Sequence, residues 1–262
     1  MDELNAPTLT GAARENVAAL SDAPLALFLD VDGTLLDIAE RPDEVVTPSD
    51  LISILDKAER KLAGALALIS GRTIEDLDRL FEPLRLRASG IHGAEIRLDP
   101  CGPTTAAPAA MALPSSVLTA LMREVAPFPD VFIENKRFSF VVHYRRAPQA
   151  ERPLRQAVAR LVESLSTTVE VLEARCAIEL KAPGFDKGHA IAAFLSEPPF
   201  RGRTPVFVGD DRTDESGFAF VTAQGGYAYS VGRLRPGASG VFAQPSEVRD
   251  WLAEFARRGS RE

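Results

Sequence analysis

The stretch LALFLDVDGTLLD, residues 25–37, decides the reading of this chain. An apolar run ends on Asp30, Asp32 follows two positions later, and Gly33-Thr34 turns the chain at once. A short unbroken apolar run is the pattern of a strand buried on both faces, as in parallel sheets. A calcium loop does not fit: counted from Asp30, the positions that need Gly and Glu hold Leu35 and Arg41. A plain polar turn is the simpler alternative, because Asp-Gly is common after strands.

A second stretch weighs against that alternative. TPVFVGDDRTDE, residues 204–215, again drives an apolar run into carboxylates, here Asp210, Asp211 and Asp214. LALI (66–69) does the same into Ser70-Gly71-Arg72. Between these runs lie helical patterns. Thr47-Pro48 offers a capped start to a helix with Leu51, Ile52, Leu55 and Leu62 as its apolar stripe and Gly64 at its end. TIEDLDRLF follows Arg72, and GHAIAAFL follows Lys187. Alternating strands and helices predict a parallel sheet with right-handed crossovers, in which all strand ends share one edge. GGYAYSVG adds a further strand and EVRDWLAEFARR a closing helix.

The texture changes in the middle of the chain. CGPTTAAPAAMALP (101–114) reads as a linker, and RFSFVVHYR (137–145) alternates beyond it. Phe138, Phe140, Val142 and Tyr144 point one way; Arg137, Ser139, His143 and Arg145 point the other. RCAIELK (175–181) repeats the pattern, with Arg175, Glu179 and Lys181 outward. An antiparallel sheet with one packed and one polar face is expected. The division expected is a core domain over 1–110 and 184–262, interrupted by an inserted module over 111–183.

Composition narrows the function. The 262 residues carry a formal charge of −7 with 45% hydrophobic and 26% charged residues, which is ordinary for a globular chain. No basic stretch offers a footprint for nucleic acid. No apolar run approaches the roughly 18 residues of a membrane span, and the acidic start MDELNAPTLTG does not read as a signal peptide. Two cysteines, Cys101 and Cys176, without CxxC spacing point to a reducing, cytoplasmic setting. A monomer acting on a small molecule is expected.

Two acidic clusters at one sheet edge need a cation between them, and hard oxygen donors sharing a shell with phosphate suit magnesium. A carboxylate so placed can attack phosphorus, while a neighbouring carboxyl protonates the leaving alkoxide and later activates water. Asp30 is the expected nucleophile and Asp32 the acid/base. Ser70, with the amides that open the next helix, and Lys187 are the expected partners of the phosphoryl oxygens.

The order DxDGT, apolar-SGR, Lys, GDDxxD resembles the haloacid dehalogenase superfamily of phosphohydrolases. ISGR, GIHGAEIR, ENKRFSFVVHYR, IELKAPGFDKGHAI and TPVFVGDDRTDESGF are similar to the trehalose-6-phosphate phosphatase family within it. The resemblance covers nearly everything from about residue 25 onward. It implies an α/β fold: a Rossmann-like parallel-sheet core of the haloacid dehalogenase type with an inserted mixed α/β cap domain. It implies magnesium held by Asp30, the Asp32 carbonyl and Asp210, with Asp211 and Asp214 acting through water or by orienting other groups. It places Glu134, Lys136 and Glu179 on sugar hydroxyls, and Arg72 and His92 at the rim. Ala182 stands where a proline is expected. The implied activity is hydrolysis of trehalose 6-phosphate. A phosphatase or phosphomutase of the same fold for another sugar phosphate (sucrose, glucosyl-glycerate or mannose phosphate), and a non-catalytic sugar-phosphate sensor, remain open to the residues alone.

Overall fold

A computed structural model of the chain describes residues 24–38, 45–107, 110–174 and 176–257. The acidic N-terminal stretch, Arg41 and Arg175 lie outside the described residues. The chain divides into two compact units, one running to Thr105 and resuming at Asp186, the other Ala106–Phe185.

In the large sheet, β1 (Leu25–Leu29), β2 (Leu66–Ile69), β3 (Arg87–Gly90), β4 (Glu95–Arg97), β5 (Thr105–Ala106), β10 (Thr204–Gly209), β11 (Tyr227–Val231) and β12 (Gly240–Phe242) pair side by side. Its order is β12-β11-β10-β1-β2-β3-β4-β5. The apolar runs predict β1, β2, β10 and β11 of this sheet and not its other four strands. Pairing is parallel from β12 across to β3, and β3 pairs antiparallel with β4. Both faces of β1 and β2 are buried, which is why these runs do not alternate. Behind β1, Phe28 stacks on Phe200 at 5.4 Å and meets Phe194 at 6.1 Å.

The helices are α1 (Leu51–Lys61), α2 (Ile74–Leu80), α5 (Lys187–Leu195), α6 (Glu215–Ala223) and α7 (Pro245–Arg257). α1 buries Leu51, Leu55 and Ala58 and ends where Gly64 takes φ +88°. It starts later than Thr47-Pro48 suggests. Asp50 precedes it without a side-chain cap, and the Thr47 hydroxyl instead donates to the Leu80 carbonyl at 2.9 Å. A tertiary acceptor thus takes the side chain that local capping would have used. α2 does have a side-chain cap: Thr73 Oγ1 accepts from the Asp76 amide.

The second unit holds a four-stranded antiparallel sheet, order β6-β7-β9-β8. Its strands are β6 (Phe132–Asn135), β7 (Ser139–His143), β8 (Glu170–Ala174) and β9 (Ala177–Lys181). Helices α3 (Ser115–Val125) and α4 (Glu151–Ser164) complete it. The expectation of one polar, open face is wrong for the two inner strands. Ser139, Val141, Glu179 and Lys181 are as buried as their apolar neighbours. Alternation reports side-chain chemistry and not burial, and a buried charge is tolerated where its polar atoms find partners. Lys181 shows this: its Nζ donates to the Phe185 carbonyl and reaches Glu170, both at 2.6 Å.

Candidate active site

Register places the first carboxylate. Leu29 is level with Val208 on β10 and Leu68 on β2, and the Asp30 amide donates to the Val208 carbonyl at 2.9 Å. β1 therefore delivers Asp30 between the ends of β10 and β2, which deliver Asp210 and Ser70. This is the switch point of the sheet, where chain connections leave in opposite directions and a crevice opens. Gly33 makes the approach possible. It takes φ +78°, and a Cβ there would lie 2.2 Å from an Asp210 carboxylate oxygen.

Lys187, the first residue of α5, is buried and bridges two carboxylates. Its Nζ lies 2.8 Å from Asp30 Oδ1 and 2.6 Å from Asp214 Oδ1. Asp214 is fully buried, and its Oδ2 accepts the amides of Asp210 and Asp211, both at 2.9 Å. Asp214 thus sets the backbone of the loop that presents Asp210. Asp211 caps the turn, accepting from the Thr213 amide and hydroxyl at 2.8 and 2.6 Å. Thr34 donates to Asp30 Oδ2 at 3.2 Å.

Burial dominates the electrostatics. It raises the Asp30 carboxyl to about 8 against the pull of Lys187, with Asp210 and Asp211 adding to the rise. Burial and then Asp214 raise Asp210 to about 7. Burial also pushes Asp214 well up, with Lys187 opposing. For Asp211 burial is outweighed by Lys187 and the Thr213 hydrogen bond, leaving it at about 2. Burial would lower Lys187, but Asp214 and Asp30 hold it well above its usual range.

Oxygens of Asp30, Asp210 and Asp214 lie within 4.8 Å of one another. One lysine faces four carboxyl groups, and three of those, Asp30, Asp210 and Asp214, are pushed towards the neutral form. Such a hard-oxygen cluster, short of positive charge, fits a divalent cation.

The remaining predicted residues fall in different places. Ser70 is buried, and its Oγ accepts from the Arg72 amide at 3.1 Å. Two of the helix-start amides expected to bind anion are already used: Ile74 donates to Glu95 Oε2 at 3.0 Å and Asp76 to Thr73 Oγ1 at 3.1 Å. Asp32 is half-exposed, and both its oxygens are held by the Arg72 guanidinium at 2.7 Å. Arg72, expected at the sugar rim, is in this structure the partner of Asp32, the residue expected to act as acid/base. His92 sits in a left-handed turn, φ +53°, with its amide on the Ser70 carbonyl at 3.0 Å. Its imidazole packs on Gly71, where a Cβ would come within 2.5 Å of Cε1.

Glu134, Lys136 and Glu179 belong to the second unit. Glu134 and Glu179 both lie opposite Val141, one on β6 and one on β9, so they share a face. Lys136 follows β6 and helps hold the Glu134 carboxyl down. His143, left out of the site by sequence reasoning, contacts Glu134 Oε2 at 2.8 Å. Arg235 was missed altogether. It donates to the Asp210 carbonyl at 2.9 Å and reaches Glu215 at 3.3 Å. Nothing in its local sequence, VGRLRPG, signals this.

In fold, the chain matches phosphatases of the haloacid dehalogenase type. A phosphatase of that superfamily from Bacteroides thetaiotaomicron superposes with a TM-score of 0.58 at 16% identity, over 88% of this chain and 94% of that one. The C-terminal domain of the Candida albicans trehalose-6-phosphate phosphatase superposes with a TM-score of 0.85 at 21% identity, over 97% and 99%. The sequence model of the trehalose-phosphatase family matches residues 28–243. The trehalose-6-phosphate phosphatase of Escherichia coli K12 is 41% identical over 230 residues, 88% of this chain and 86% of that protein. The chain belongs to the trehalose-phosphatase family.

Proposed function

We propose that this protein hydrolyses trehalose 6-phosphate to trehalose and phosphate in the cytoplasm, using magnesium. The observation that carries the reading is Asp30 at the sheet's switch point, paired with buried Lys187 and flanked by Asp210. Family membership supplies the substrate. The two free thiols, Cys101 and Cys176, fit a reducing compartment. Among the described residues no helix is long and apolar enough to cross a membrane.

In the first step an Asp30 oxygen bonds to phosphorus and the bond from phosphorus to the sugar oxygen breaks. Asp32, protonated, gives its proton to the departing oxygen. In the second step Asp32 takes a proton from water, the water oxygen bonds to phosphorus, and the bond to Asp30 breaks. Phosphate leaves with both aspartates restored. Lys187 and the Ser70 hydroxyl hold phosphoryl oxygens. Magnesium, when held by Asp30, the Asp32 carbonyl and Asp210, supplies positive charge that keeps Asp30 ionised and offsets charge on the phosphoryl group. For Asp32 to donate, the Arg72 clamp on its two oxygens must open. Glu134, Lys136 and Glu179 take sugar hydroxyls.

A panel of sugar phosphates, with magnesium and with chelator, tests the substrate. Trehalose 6-phosphate should be turned over well ahead of sucrose, glucosyl-glycerate and simple hexose phosphates; comparable rates would defeat the assignment. Acid quench during turnover followed by hydroxylamine should convert Asp30 to a hydroxamate, since acyl phosphates react with that nucleophile. Rapid turnover without any hydroxamate at Asp30 would remove the covalent step.

A further inference from the structure

Glu134 is unusual among the residues assigned to the sugar because its support is built into the sheet. Phe132 and His143 lie directly opposite each other on β6 and β7. Their rings stack at 4.5 Å with planes 15° apart. The stacked imidazole then reaches diagonally to Glu134, two residues along β6, with Nε2 2.8 Å from Oε2. An ionised carboxylate only accepts, so Nε2 carries the proton. The carboxyl is held below its usual range: burial would raise it, but the His143 hydrogen bond and Lys136 outweigh burial. The charged groups facing this pair are Lys136 on the same strand extension and Glu179 on β9, which opposes them.

A glutamate side chain on a sheet surface has three rotatable bonds, and fixing it for a ligand costs rotamer freedom. Here the protein has fixed it in advance. His143 engages Oε2, and the other carboxylate oxygen, Oε1, has the capacity to accept from a sugar hydroxyl. Phe132 explains how the imidazole itself is held, although its side chain is 55% exposed. A large exposed aromatic has no packing reason to be there, but as the face on which the imidazole rests it has one.

We propose that His143 is a positioning residue for sugar recognition: braced by Phe132, it presents the Glu134 carboxylate to a hydroxyl of the glycosyl group. This rests on the reading that Glu134 contacts the sugar. The competing account is a histidine–glutamate pair that only stabilises the β6–β7 ladder.

Steady-state kinetics on His143→Phe, His143→Gln, Glu134→Gln and the double variant His143→Phe/Glu134→Gln separate these accounts. Loss of a hydrogen bond to a charged group corresponds to about a tenfold or greater loss of affinity. His143→Phe, which keeps a ring for Phe132 but has no donor, should raise KM for trehalose 6-phosphate about tenfold and change kcat far less. Product inhibition by trehalose should weaken in parallel while inhibition by inorganic phosphate stays as it was. His143→Gln, which keeps an N–H donor, should recover much of the loss. The double variant should be no worse than Glu134→Gln alone. If Glu134→Gln leaves KM unchanged, the sugar reading of Glu134 fails, and this inference with it. If Glu134→Gln raises KM but His143→Phe does not, only the positioning role fails. Equal inhibition shifts for trehalose and phosphate in folded His143→Phe would assign the pair to stability and overturn the proposal.

Discussion

Replacing Lys187 by Met tests the electrostatics on which the site depends. In the parent, Nζ bonds Asp30 at 2.8 Å and Asp214 at 2.6 Å, and all three side chains are at most 6% exposed. Methionine fills similar volume and removes only the charge and its donors. Breaking a buried ion pair by removing one partner costs about 3–5 kcal/mol, because the other charge is left uncompensated. Two carboxyls are stranded here, but both can escape by taking up a proton, so about 3–5 kcal/mol is the expected loss rather than twice that. That escape makes the loss pH-dependent. Lys187 lowers the Asp30 pKa, so the variant's Asp30 titrates above the parent's value of about 8. Wherever the folded variant keeps a proton that the folded parent has released, the stability deficit grows with pH, by at most about 1.4 kcal/mol per pH unit for each such group. The assay is urea unfolding of both proteins in chelator at pH 6.0 and 8.5. The deficit should be present at pH 6.0 and larger at pH 8.5. A variant as stable as the parent at pH 8.5, or a deficit that shrinks as pH rises, would refute the assignment of Lys187 as the shared counter-charge.

Three further outcomes are expected. Asp32→Asn should lose about a hundredfold to ten-thousandfold in kcat, the usual worth of general acid–base catalysis; calorimetry should show unchanged magnesium binding, since only its backbone carbonyl is assigned to the metal. The metal-free parent should lose stability as pH rises from about 5 to 8. Folded Asp30 and Asp210, at about 8 and about 7, hold protons that the unfolded chain has already released. Saturating magnesium should flatten that slope in thermal melts, and a slope of opposite sign in chelator would contradict the burial argument. Arg235→Met should weaken magnesium affinity several-fold by freeing the Asp210 carbonyl, with a smaller effect on kcat at saturating metal; unchanged calorimetric affinity would show that the loop is held without it.

The parts legible in the sequence are those governed by local pattern. Asp30, Ser70 and Asp210 could be read because each ends an unbroken apolar run, and parallel strands must end on one edge. What was not legible depends on groups distant in the chain. The helix start after Arg72 looks like an anion site until Glu95, 21 residues on, is seen to occupy the Ile74 amide. Ile91, His92 and Gly93 all take positive φ, which neither Ile nor His announces. A Cβ on Gly93 would lie 2.5 Å from the Asp186 carbonyl, so that turn is shaped by the residue before Lys187. Glu134 precedes the alternating run, and its face is defined only by register with Val141 and then Glu179. Arg235 reaches Asp210 across 25 residues, with no pattern in between.

The question raised by DVDGT, why a buried strand should deliver like charges to one place, has an answer in proton accounting. Asp214 accepts from Lys187 and two amides, while burial pushes its carboxyl well up against the pull of that lysine. Asp211 is held ionised at about 2 by Lys187 and Thr213, after burial is overcome. Asp30 and Asp210 titrate near neutral pH, at about 8 and about 7. Without a cation the fold keeps them largely neutral, which is how it tolerates them, and a neutral Asp30 is a poor nucleophile. A divalent cation beside them would release up to two protons, so the charge gained by the cluster is balanced by the charge that arrives. A monovalent ion in the same place could support only about half of that change. Burial thus makes the nucleophile depend on the cation, and it does so through the same low-dielectric setting that strengthens every contact to a phosphoryl oxygen.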